Sequence, residues 1–208
     1  MHGLYAITDP DLLPDDRLVD AVTAALAGGA RAIQFRDKRP ETALKLELAR
    51  ALNTLCRDFG ALFLINDDVE LAAAVGAHGV HLGRDDAAVT AARERLGREA
   101  VIGVSCYNEL DRARHAARLG ADYVAFGRFF PSRTKPQAVQ AEPALLRAAR
   151  AELELPLVAI GGITPENGGL LLEAGADMLA VIHGLFGAED IATAARRYAT
   201  LFRNRRSG

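Results

Sequence analysis

Along the chain, runs rich in Val, Ile, Leu, Phe or Tyr alternate with Ala-, Leu- and Arg-rich stretches whose apolar positions recur at helical spacing. Gly-Ala pairs at Gly29-Ala30, Gly60-Ala61, Gly76-Ala77, Gly120-Ala121 and Gly175-Ala176 each close a helical stretch and open an apolar run. Helix, glycine stop and strand form the repeating unit. This pattern predicts strands over 4–8, 32–37, 62–66, 79–82, 101–105, 123–127, 157–161 and 178–182, with helices between them. Eight βα units close a (β/α)8 TIM barrel, an α/β fold, and 208 residues lie near the lower end of its size range. One catalytic domain over residues 1–203 is expected, followed by a frayed tail over 204–208; an open doubly wound sheet is the alternative fold.

The polar positions sharpen this picture. In "AIQFRDK", Ala32 to Lys38, two-residue alternation puts Gln34, Arg36 and Lys38 on one face and Phe35 and Asp37 on the other. The other predicted strands also end in polar residues: "INDD" after the third, "HLGRDD" after the fourth, "GVSCY" at the fifth, "FFPSRTKP" after the sixth, "AIGGIT" and "VIHG" at the seventh and eighth. In a barrel these carboxyl ends share one face, where active sites are built.

Composition narrows the classes. Half the residues are hydrophobic and the formal net charge is -2, which describes a soluble globular chain rather than a nucleic-acid binder. No basic leader or membrane-length apolar run is seen, so a cytoplasmic location is expected. The two cysteines, Cys56 and Cys106, have no CxxC or metal spacing, which suits a reducing compartment.

Gly161 and Gly162 follow the seventh strand, where barrels frequently hold a phosphate on backbone N–H groups; a helix-entry turn with Thr164 as cap and Pro165 at the first helical position is compatible with that role. Asp67 and Asp86 end adjacent strands with Asn66 beside the first, a set that suits Mg2+, which takes one or two protein carboxylates and completes its shell with water and phosphate oxygens. The purely structural explanation is helix capping by Asp68 or Asp86. Arg36, Lys38 and Lys135 then surround an acidic pair, and a metal-bound diphosphate is the anion that accounts for them; a salt bridge from the "QFRDK" cations to Asp67 is the structural alternative. One glycine-based and one metal-based anion site suggest two phosphorylated substrates joined by a transfer reaction.

"QFRDK", "INDD", "VHLGRDD", "GVS", "PSRTKP" and "AIGGIT", in this order over almost the whole chain, closely resemble the thiamine phosphate synthase family. The resemblance implies a Mg2+-dependent transferase that joins 4-amino-5-hydroxymethyl-2-methylpyrimidine diphosphate to thiazole phosphate and releases diphosphate. By motif, it implies that Gln34 contacts the pyrimidine, that Arg36, Lys38, Asn66, Ser105 and Lys135 hold the diphosphate, and that Asp67 and Asp86 bind the metal. Ser132 and Thr134 would meet the thiazole phosphate, with backbone around Gly162, Ile182 and His183. The implied chemistry is dissociative and requires no dedicated protein base.

Some positions depart from the family pattern. Ser132 stands where Thr is frequent, "FGRFF" replaces a Gly-Pro turn, and His183 stands where Ser is common. The family's extra N-terminal helix has no counterpart before the first strand. His81 is expected to face inward as a hydrogen-bonding residue, because no second histidine accompanies it at ligand spacing. Two rival functions are a thiazole tautomerase of the same fold, which would not need the diphosphate and metal set, and a noncatalytic phosphate-ligand-binding barrel, which would bind without turnover. The sequence carries no reading of oligomeric state.

Overall fold

The computed structural model describes residues 1–40, 42–83, 87–131 and 139–204, without the side chains of Ala87 and Asn204. Eight parallel strands close into a barrel in sequence order: β1 (Gly3–Ile7), β2 (Ala30–Phe35), β3 (Leu62–Asn66), β4 (Gly79–Leu82), β5 (Val101–Tyr107), β6 (Tyr123–Phe126), β7 (Leu157–Ile160) and β8 (Met178–Val181). β1 pairs with both β2 and β8, which leaves no sheet edge and excludes the open doubly wound alternative. The helices are α1 (Asp15–Ala27), α2 (Ala43–Asp58), α3 (Val69–Val75), α4 (Ala87–Leu96), α5 (Leu110–Arg118), α6 (Pro143–Glu152), α7 (Gly168–Glu173), α8 (His183–Phe186) and α9 (Ile191–Asn204).

Strands three and four have the predicted bounds, and four others lie within one residue of them. β2 does not run over 32–37. It ends at Phe35 because the Arg36 N–H leaves the ladder and donates to Thr8 Oγ1 at 3.0 Å. β5 runs on to Tyr107 through a register shift against β6 between Ser105 and Tyr107. Helix α7 starts at Gly168 rather than Pro165, because Thr164 to Asn167 form a separate turn in which the Thr164 carbonyl accepts from the N–H groups of Asn167 and Gly168.

Both strand faces are buried. Outward residues such as Ile33, Phe63, Val80 and Ile102 pack under the helices with Leu18, Leu52 and Leu71. Inward residues, including Tyr5, Ala32, Leu64, Tyr123, Val158 and Met178, form a second cluster that fills the barrel. Each buried Leu, Ile or Phe stabilises the fold by about 1.5–3 kcal/mol relative to exposure. At the floor, Leu62, Val101 and Met178 open β3, β5 and β8 and pack on or within this inner cluster, plugging the barrel with strand side chains. Phe202 of α9 meets His2 edge-on, with ring centroids 5.1 Å apart.

The floor is also tied by a polar device repeated in three βα pairs. The residue after a Gly-Ala pair donates its N–H to the start of the preceding odd-numbered strand and accepts that strand's N–H on its side chain. His78 N bonds Phe63 O at 2.9 Å while Phe63 N bonds His78 Nδ1 at 3.1 Å. Asp122 does the same with Ile102, at 2.7 Å both ways, and Asp177 with Leu157, at 2.8 Å both ways. An arginine from the helix before that strand then donates to the corner glycine carbonyl: Arg57 to Gly76 at 2.8 Å, Arg93 to Gly120 at 2.9 Å and Arg150 to Gly175 at 3.2 Å. Arg93 and Arg150 also ion-pair with Asp122 and Asp177. The first unit lacks the device: Arg31 stands at that position, and α9 packs there instead, with Ala195 Cβ only 2.4 Å from where a Gly28 Cβ would lie.

Candidate active site

At the carboxyl ends of the strands lies a cavity of about 390 Å3 to which every strand or the loop beyond it contributes. Alternation along β2, β3 and β5 aims Gln34, Asn66 and Ser105 inward, and all three line it with Arg36, Gly162, Ile182 and His183. Seven of the expected site residues, drawn from separate motifs, thus line one cavity. Lys38 and Asp67 are exposed at the rim instead. Asp86, Ser132, Thr134 and Lys135 lie outside the described residues, as do 205–208 of the expected tail.

Gln34 is only 2% exposed, and its Nε2 donates to Tyr5 Oη at 2.7 Å. Arg36 sits beyond the strand end, its Nη1 3.7 Å from Asp9 Oδ2. Its acidic neighbour is therefore Asp9 in the β1 loop and not Asp67, the partner considered in the sequence. Asp37 faces away from the cavity, as alternation requires, and accepts from the backbone and guanidinium of Arg39, which also bonds Asp15 of α1. Burial opposes ionisation of Asp37, but those Arg39 bonds hold its carboxyl below the ordinary carboxylate range. This clip ties the β2 loop to α1 under Arg36 and Lys38.

Asp67 occupies the left-handed region at φ 61, uncommon for a residue with a side chain, and its Oδ1 accepts from Gly83 N at 3.1 Å. Its Oδ2 accepts from Asn66 Nδ2 at 2.8 Å. Each oxygen keeps a lone pair, and a carboxylate held by the next strand's loop is a suitable hard donor for Mg2+. Among the described residues no group of three or more His, Cys, Asp or Glu gathers, and of the two expected metal ligands only Asp67 is described. The neighbouring Asp68 is the cap of α3, accepting from Leu71 N at 2.8 Å.

The paired glycines have a packing role that the sequence did not reveal. A Cβ on Gly162, at φ 63, would lie 2.3 Å from Pro131 O, and one on Gly161 2.3 Å from Arg128 Cβ. Their missing side chains admit the loop after β6, which is stapled by Phe130 N to Gly161 O at 3.0 Å. Thr164 is not a helix cap; its N–H donates to Asn167 Oδ1 at 2.8 Å, and Asn167 Nδ2 returns to Gly162 O at 3.1 Å. From below, the buried Tyr198 of α9 holds Ile163 O at 2.9 Å.

His81 faces inward as expected, bonding Tyr123 Oη and Ser105 Oγ. Arg128, which lines the cavity, and Tyr5 and Tyr123 beneath it were not singled out from the sequence. Their signal was inward parity on β1 and β6 for the tyrosines, and position just past β6 for Arg128. Burial pushes both phenols well above their ordinary pKa, so both stay protonated. The two cysteines are buried free thiols, and burial pushes Cys56 up to about 12.

A closed parallel barrel with polar side chains gathered at the strands' carboxyl ends defines a (β/α)8 enzyme. Sequence comparison narrows the class. The profile of the thiamine monophosphate synthase family matches residues 4–185. A thiamine-phosphate synthase of Nitrosococcus oceani is 54% identical over 202 residues, covering 97% of this chain and 93% of that protein. One of Chromobacterium violaceum is 57% identical over 202 residues, covering 97% of each. The solved thiamine phosphate pyrophosphorylase from Pyrococcus furiosus superposes with a TM-score of 0.87 at 38% identity, covering 97% of this chain and 96% of that one. The chain belongs to the thiamine monophosphate synthase family and is a transferase. No helix among the described residues is long and apolar enough to cross a membrane.

Proposed function

We propose that this chain joins 4-amino-5-hydroxymethyl-2-methylpyrimidine diphosphate to thiazole phosphate in the cytoplasm, releasing diphosphate and giving thiamine phosphate, with Mg2+ as cofactor. The observation that carries the reading is that Gln34, Arg36, Asn66, Ser105, Gly162, Ile182 and His183 line one cavity. Residues expected to touch the pyrimidine, the diphosphate and the thiazole phosphate converge there, which supports two substrates meeting in one site.

In this reading Gln34 orients the pyrimidine, and Arg36, Lys38, Asn66, Ser105 and Lys135 hold the diphosphate. The C–O bond to the pyrimidine methylene breaks, its electron pair leaves with the diphosphate, and the thiazole nitrogen attacks the resulting cation. Ser132, Thr134 and the backbone at Gly162, Ile182 and His183 fix the thiazole phosphate so that this nitrogen faces the methylene. Asp67 and Asp86 would hold Mg2+, which when bound neutralises charge on the leaving diphosphate. The chain's part is positioning and charge stabilisation, so no side chain is assigned as a general base.

The test is incubation of the purified protein with both substrates, followed by mass detection of thiamine phosphate and a coupled diphosphate assay. Both products should form with Mg2+ and neither in excess chelator. Ligand binding without turnover, or turnover undiminished by chelator, would contradict the reading.

A further inference from the structure

A continuous chain of hydrogen bonds crosses the barrel interior beneath the cavity. Gln34 Nε2 lies 2.7 Å from Tyr5 Oη, which lies 2.9 Å from Tyr123 Oη. Tyr123 Oη lies 2.8 Å from His81 Nδ1, and His81 Nε2 lies 2.9 Å from Ser105 Oγ. Gln34 and Ser105, its two ends, line the cavity, while Tyr5 and Tyr123 are 1% and 0% exposed. Gly103 makes room for the middle of the chain, since a Cβ there would lie 1.9 Å from the Tyr123 ring.

The direction of this chain follows from what each atom can do. An amide nitrogen only donates, so Tyr5 Oη accepts from Gln34; donating its own proton to Tyr123 Oη is the arrangement that leaves neither buried hydroxyl proton without an acceptor. Tyr123 in turn donates to His81 Nδ1, which for a neutral imidazole places the ring proton on Nε2. Nε2–H then donates to Ser105 Oγ, and the Ser105 hydroxyl proton is left to point at whatever fills the cavity. If Gln34 turned its carbonyl oxygen to Tyr5, every bond would reverse and Ser105 would donate to His81. Among the described residues no hydrogen bond uses Gln34 Oε1, which the observed polarity leaves for a substrate N–H.

We propose that Tyr5, Tyr123 and His81 are positioning residues forming a one-way relay, in which the Gln34 amide sets the His81 tautomer and commits the Ser105 hydroxyl to donate into the cavity. Its catalytic consequence rests on the transferase reading above: a donor aimed in advance at the leaving diphosphate costs no reorganisation when charge develops. The relay also couples the end that meets the pyrimidine to the end that meets the diphosphate.

The tautomer is read directly by 15N NMR of the His81 imidazole in the full-length protein without substrate. The parent should show the Nε2–H form. Gln34→Glu, whose carboxylate accepts from Tyr5, should convert it to the Nδ1–H form, and Tyr123→Phe should lose the single-tautomer signature. An Nδ1–H parent, or a tautomer untouched by both substitutions, overturns the relay. Kinetically, Tyr123→Phe should lower kcat about tenfold with an unchanged KM for the pyrimidine diphosphate. Made in a Ser105→Ala background it should cost nothing further, whereas an equal loss in both backgrounds would show a merely structural hydroxyl and overturn the proposal. A parent that forms no thiamine phosphate would remove the transferase reading, while the NMR result would still decide the relay.

Discussion

The two ends of the barrel use the same kinds of residue for opposite purposes. At the floor, Arg, Asp and His side chains are spent on the chain itself: Arg93 and Arg150 each reach a corner glycine carbonyl and an aspartate that already holds a strand N–H. At the mouth, Gln34, Arg36, Asn66 and Ser105 line a cavity. Among the described residues, both non-glycine residues at positive φ, Asp67 at 61 and Tyr107 at 54, lie at strand ends on this mouth. Polar groups that close on one another stabilise; those held toward a cavity are available to a ligand. Charge alone does not distinguish the two ends, but the destination of the hydrogen bonds does.

Removing a cation proposed to hold the diphosphate should have the largest effect. Lys135→Ala is expected to slow turnover by roughly two to three orders of magnitude, the usual loss for one donor aimed at transition-state charge. Arg133→Ala, two positions away in the sequence, should be much milder, and equal losses would erase the distinction between the two positions.

The smallest effect sharpens the floor side. His78 stands where the other two corners have Asp122 and Asp177, and it must be unprotonated to accept from Phe63 N. Burial first, and then the charge of Arg57, hold its pKa below the ordinary imidazole value. The unfolded chain therefore takes up this proton before the folded one. The contribution is fully present above the ordinary value of about 6.5 and is lost as pH falls through the lower folded value. His78→Asp, copying its sister corners, should flatten melting temperature against pH in that range without changing turnover. A slope identical to the parent's would show that the histidine corner is not a pH-sensitive version of the same clamp.

Much of the fold was legible because it is written locally. The Gly-Ala corners marked helix ends, and all five named pairs have their glycine at positive φ. The site's wall was legible through strand parity, which put Gln34 and Arg36 on one face, and through the motif resemblance, which added Ser105. What escaped was set by register and distance. The floor arginines lie 19, 27 and 25 residues before their glycines, so no fixed spacing announces the clamp. Tyr5 and Tyr123 are 118 residues apart, and only closure of the barrel makes them neighbours. The end of β2 was misplaced because Thr8, across the strand pair, draws the Arg36 N–H out of the ladder. Strand period does not see such a competitor.

Turnover and melting temperature measured together on Asp67→Asn and Asp122→Ala test the central contrast most directly. Asn tolerates positive φ and can still accept from Gly83, so Asp67→Asn should keep the parent's melting temperature while losing about a hundredfold in turnover with Mg2+. Asp122→Ala strands the Ile102 N–H and removes the ion pair of Arg93, which keeps its carbonyl acceptors. It should cost about 1–3 kcal/mol, a few degrees of melting temperature, and leave turnover of the folded enzyme at the parent's value. A mouth variant that melts early with its chemistry intact, or a floor variant that loses turnover without losing stability, would contradict this division of the barrel.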